Sequence, residues 1–283
     1  MRWQGRTGSN RIEDRRGIRL GRAGGIGGIG AVVLALIAMY FGQDPGVVLQ
    51  QFDGGQTTSE QVPYQESAAE AQTREMIGVV LADTEQTWEQ IFAAAGKQYE
   101  KPALVLFSQA VESACGMAQA AVGPFYCPSD RKVYIDLSFY DELKNRFGAP
   151  GDFAQAYVVA HEVGHHVQTL LGISDQVHNA RAGASQADAN AMSVRMELQA
   201  DCFAGIWAHH ADRSRQLLEA GDIEEGLNAA SAIGDDRLQK QSRGTVAPES
   251  FTHGSSAQRV NWFKRGFESG EVGACDTFNA REI

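Results

Sequence analysis

The stretch "VVAHEVGHHVQTLLG", residues 158–172, is apolar over most of its surface and carries His161 and His165 four positions apart. On a helix, residues so spaced share one face with Cβ atoms about 5–6 Å apart, so both imidazoles can address one ion. Glu162 is rotated roughly 100° from His161, which sets its carboxylate beside such an ion, where it can take a proton from a metal-bound water. The competing reading is a core helix whose two histidines satisfy themselves on backbone carbonyls. The pattern H-E-x-x-H does not by itself decide between them, because a metal site needs a third ligand.

That ligand is sought in "MELQADCFAG", residues 196–205, where Glu197 and Asp201 again stand four apart on a predicted helix. In this reading Glu197 completes the metal set with His161 and His165. Asp201 accepts the free ring N–H of one histidine, fixing its tautomer and raising its basicity. Leu198, Ala200, Phe203, Ile206 and Trp207 crowd the same segment and argue against two solvated surface acids. Cys202, five residues past Glu197, points off its face.

Around these two helices the pattern predicts a mostly helical α+β chain. Residues 66–95 carry Met76, Val80, Leu81, Trp88, Ile91 and Phe92 at helical spacing and end before Gly96. "ALVLF" (103–107) and "KVYIDL" (132–137) read as strands, with "GPFYC" (123–127) a third, and the group could present a sheet edge. Ser138 reads as the N-cap of a helix through Phe147. Asp152 with Gln155 makes a capping-box-like start for the histidine helix, which should stop at Gly172. Further helical patterns cover 186–210, 222–240 and Ser255–Gly266.

The chain has 283 residues and is 43% hydrophobic, enough for a sizeable core in one or two domains. Its net charge of −10 is uneven: residues 1–22 hold seven Arg against Glu13 and Asp14, a balance of +5, which leaves −15 for the rest. An acidic body argues against nucleic acid as a partner. Residues 23–43, "AGGIGGIGAVVLALIAMYFGQ", carry no charge and would form a helix about 31 Å long, enough to cross a bilayer.

The Arg-rich arm then predicts a single-pass protein of the cytoplasmic membrane, its N-terminus inside and its body outside. The expected division is a cytoplasmic arm at 1–22, a transmembrane helix at 23–43, a linker at 44–65 and the folded domain at 66–283. An oxidising compartment suits Cys115, Cys127, Cys202 and Cys275, which form no C-x-x-C pair and permit two bridges in three connectivities. Cys115 with Cys127 is favoured because it clips a short loop, and Cys202 with Cys275 because it ties the C-terminus to the core.

H-E-x-x-H followed by E-x-x-x-D resembles the gluzincins. The wider string is similar to the bacterial putative neutral zinc metallopeptidase family in five segments that occur in order: "MRWQGR", "ACGMAQAAVGPFYCPSDRKVYIDLSFY", "VVAHEVGHHVQTLLG", "ELQADCFAG" and "FTHGSSAQRVNWFKRGFESG". The resemblance implies a membrane-anchored, Zn2+-dependent endopeptidase of zincin-like fold acting on peptides or proteins. It implies no particular substrate. Two other readings stay open: a membrane-tethered zinc-binding protein without proteolytic activity, and a zinc amidase acting on cell-wall peptides.

"MELQAD" and "FTHGSSAQR" also look like blocks of membrane proteases that include prenyl-protein and heat-shock-induced types, with Gly254 in place of their proline. That likeness singles out His253 as a catalytic donor to a developing oxyanion. Arg259 is a candidate partner for an acid near the site. His166, His178, His209 and His210 are read as structural. Oligomeric state stays open.

Overall fold

The computed structural model describes residues 1–20, 59–61, 63–120, 123–281 and 283. Two compact units emerge, Met1–Asp14 with Glu66–Ile283, and Arg15–Gln65. In the smaller unit, strand β2 (Ile18–Leu20) pairs antiparallel with β3 (Ser59–Gln61).

The larger unit is built on a four-stranded sheet ordered β1-β4-β8-β7, from Ile12–Asp14, Ala103–Phe107, Lys132–Asp136 and Phe125–Cys127. The first three strands run parallel, and β7 closes one side antiparallel to β8. Alternation divides the sheet cleanly. Leu104, Leu106, Val133 and Ile135 enter the main helical core, whereas Val105, Phe107, Tyr134 and Cys127 pack on the other face with Val111. Val111 comes from a hairpin, β5 (Ala110–Ser113) and β6 (Gly116–Gln119), whose turn is tied to β7 by Cys115–Cys127. Cys202–Cys275 is the second disulfide, so both favoured pairings form.

On the main face lie α1 (Ala68–Ala94), α3 (Asp152–Leu170), α5 (Gln186–Arg215), α6 (Asp222–Ala232) and α8 (Ser256–Ser269). Short helices α2 (Ser138–Asn145), α4 (Ile173–Arg181) and α7 (Asp235–Arg243) complete the unit. Ser67 and Ser255 start α1 and α8 with full capping boxes.

Two other expected caps do not form, and other side chains take their place. Ser138 lies inside α2 and its N–H is taken by Asp136 Oδ1 at 3.0 Å. At the start of α3, Asp152 makes no cap, because its carboxylate is engaged by the Met1 amine and the Trp3 indole at 3.0 and 3.1 Å. Glu225 of α6 accepts the Phe153 N–H instead.

The expected helix over 222–240 is two helices. A Cβ on Gly234 would lie 2.4 Å from the Ser256 nitrogen, so the start of α8 occupies the place a continuous helix would need. Residues 1–14 also depart from expectation. The predicted free arm is part of the folded unit, with β1 hydrogen-bonded to β4. Among the described residues no helix is long and apolar enough to cross a membrane, and the run 23–43 lies outside them.

Candidate metal centre

Helices α3 and α5 approach closely where α3 carries the histidines. Gly164, between His161 and His165, makes this possible: a Cβ there would sit 2.9 Å from the Ala200 carbonyl oxygen of α5. The contact brings Glu197 over both imidazoles. His161 Nε2 lies 3.1 Å from Glu197 Oε2, and His165 Nε2 lies 3.5 Å from Glu197 Oε1.

One ligand atom from each of the three residues falls within 4.8 Å of the other two. Zinc bonds of about 2.0–2.1 Å to nitrogen and oxygen in a tetrahedron require ligand atoms roughly 3.3 Å apart. The separations, one to each Glu197 oxygen, are close to that edge, and two imidazoles with one carboxylate are donors that Zn2+ accepts.

Each histidine is fixed from behind through Nδ1. His161 Nδ1 lies 2.8 Å from Asp201 Oδ1, as the spacing in α5 predicted. His165 Nδ1 lies 2.8 Å from Gln168 Oε1, a partner the sequence reading missed although it stands only three residues on. Gln168 is buried and held in turn by the Met196 carbonyl and the Gln199 side chain. Donation from Nδ1–H to these oxygens would leave each Nε2, once deprotonated, as the ligand atom for a metal.

Asp201 is fully buried and makes further contacts that hold it in place. Arg259 of α8 donates to both its oxygens at 2.8 and 3.0 Å, and the Tyr157 hydroxyl donates to Oδ1. Burial alone would raise the Asp201 carboxyl; Arg259, then His161, outweigh it and lower it. Arg259 is thus the partner of an acid beside the site, as its position suggested.

Burial would likewise push His161 down, but Asp201 and Glu197 more than reverse this, to about 10. His165 is raised by Glu197 against the same burial. The metal-free centre therefore holds protons that zinc must displace. Zinc affinity should rise with pH up to about 10, and titration calorimetry at pH 7 in buffers of differing ionisation enthalpy should show about one to two protons released per zinc. The His161 contribution to metal-free stability has the opposite sense. It is full below the ordinary histidine value and lost as pH rises through about 10.

Glu162 is buried next to these groups, and burial raises its carboxyl despite the nearby histidines. His253 lies on the loop before α8, half-exposed, with Nδ1 3.3 Å from Asp235 Oδ1. Its imidazole is raised chiefly by Asp235, and the Glu197 charge acts on it in the same direction. Asp235, at the break between α6 and α7, also accepts the N–H groups of Thr252, His253 and Gly254 at 2.7, 2.6 and 3.0 Å. Gly254 has φ +94°, a conformation closed to proline, which accounts for the departure from the related block.

His166 makes its hydrogen bonds to groups outside the three converging donors. Its Nε2 donates to the Glu100 carbonyl and its Nδ1 meets the Tyr126 hydroxyl, while burial lowers it to about 4. His209 and His210 bind the Phe267 and Gly270 carbonyls.

These features agree with what the chain is similar to. The family description "putative neutral zinc metallopeptidase" matches residues 1–278. The uncharacterized protein YpfJ of Escherichia coli K12 is 51% identical over 98% of this chain and 99% of its own length. The uncharacterized protein Rv2575 of Mycobacterium tuberculosis H37Rv is 39% identical over 87% of this chain and 86% of its own. No solved structure matches. The chain belongs to the putative neutral zinc metallopeptidase family.

Proposed function

We propose that the protein is a zinc-dependent endopeptidase in which His161, His165 and Glu197 hold the metal and Glu162 is the general base. The observation that carries this reading is the convergence of two Nε2 atoms and one carboxylate, each imidazole anchored through its other nitrogen, with a buried glutamate one residue along the same helix. Bound zinc would polarise the scissile carbonyl and acidify a water. Glu162, raised by burial, takes the proton from that water and passes it to the leaving amine. His253, whose imidazole is raised by Asp235, is the donor toward the oxyanion.

An extended peptide adds to β7, an outer strand of the sheet that carries Tyr126, through main-chain pairing. Lys132–Asp136 forms β8, which is covered on both sides by β4 and β7. His166 links Tyr126 to α3, so the substrate strand and the metal helix are held together.

The two disulfides support work in an oxidising compartment, and the apolar run 23–43 supports association with a membrane. The reaction is tested with purified full-length protein on an unfolded casein and on cell-wall peptides. Casein cleavage at internal bonds, abolished by chelator and restored by zinc, is expected. Release of cell-wall peptides with casein left intact would replace the endopeptidase by an amidase, and zinc binding with neither activity would remove the enzyme.

A further inference from the structure

The sequence alone places the N-terminal arm and the metal domain on opposite faces of a membrane, whereas the structure joins residues 1–14 to that domain by backbone and side-chain contacts. Trp3 is buried in the main core, and its indole donates to Asp152 at the start of the metal-bearing helix. The Arg2 N–H donates to the Leu217 carbonyl at 2.8 Å. The Ser9 N–H donates to the Gly78 carbonyl of α1 at 2.9 Å, where a Cβ on Gly8 would sit 3.2 Å from the Gly78 carbonyl carbon. Ile12, Glu13 and Asp14 pair with Leu104, Val105 and Leu106 in the sheet, and the Lys132 ammonium donates to Glu13 at 2.6 Å.

A single span over residues 23–43 would put about 30 Å of hydrocarbon between the partners of every one of these bonds. The contacts run from residue 2 to residue 14, so no small shift of one strand escapes the conflict.

We infer that residues 1–14 and the metal centre lie on the same side of the membrane. The pairing of Ile18–Leu20 with Ser59–Gln61 carries the same constraint, since it holds together the two ends of the 38 residues between them. Two crossings would need about 20 apolar residues each. Residues 44–58 include Asp44, Pro45, Asp53, Gly54 and Gly55 and cannot supply the second. This inference is independent of the reaction proposed above.

The test uses sided labelling of the full chain. All four cysteines are in disulfides, so an introduced thiol is the one that reacts. Thr7→Cys reports the N-terminal segment; Glu268→Cys and, as a second site, Lys240→Cys report the domain, all at exposed positions. Spheroplasts are treated with a membrane-impermeant maleimide before or after detergent lysis, with zinc content of each variant as the check on folding. The expected result is one pattern for all three positions, with the protein in the carbonate-washed membrane fraction. Labelling of the domain positions in intact spheroplasts with Thr7→Cys reacting only after lysis would overturn the inference, as would the reverse.

Discussion

Replacing Glu162 by Gln should lower kcat/KM on peptide substrates by a factor on the order of 10²–10⁴ while zinc content and thermal stability stay near wild type, because a positioned general base contributes about that much. Glutamine keeps the volume and polarity of the side chain but cannot accept the proton. Glu162 is not among the three converging donors, so its loss leaves the metal set complete. The measurement is a peptide-cleavage assay across pH on matched zinc-loaded samples. Cleavage by the variant at the wild-type rate would remove Glu162 from the mechanism.

The second large effect concerns binding rather than chemistry. Glu197→Ala should weaken zinc by more than about 100-fold, because altering even the partners of metal ligands costs about 10–100-fold. Glu197 is also the group that His161 Nε2 and His165 Nε2 share, at 3.1 and 3.5 Å. Without it two imidazoles remain close together, with ring centroids 4.8 Å apart, and no anion between them. Activity should fall with zinc occupancy. Competition with a chromophoric chelator reads the affinity directly. Unchanged affinity would mean that another side chain completes the site.

The centre was largely legible because its geometry is local. Residues four apart on a helix must share a face, so His161 with His165, and Glu197 with Asp201, could be paired before any tertiary contact was known. Meeting of the two pairs was an inference from composition; the structure supplies its cause in Gly164, which lets α3 and α5 close on each other. Asp235 was invisible for the opposite reason. Its role comes from a helix break at Gly234, set by packing against Ser256, some twenty residues away in the chain.

The N-terminal arm shows where local reading stops. Seven arginines before an apolar run draw attention to charge, whereas Ile12–Asp14 is a three-residue strand, too short to show alternation, and its partner lies some ninety residues on. Hairpin β5–β6 escaped notice similarly, its second strand "GMAQ" carrying little β-branched signal.

The central claim is that His161, His165 and Glu197 hold one zinc with a position left open. X-ray absorption at the zinc edge, on full-length protein loaded with one equivalent, tests it most directly. The account predicts two imidazole nitrogens and light oxygen scatterers at about 2.0–2.2 Å, with one oxygen exchangeable by added hydroxamate. A sulfur shell at about 2.3 Å, or four protein ligands with no exchangeable oxygen, would contradict it.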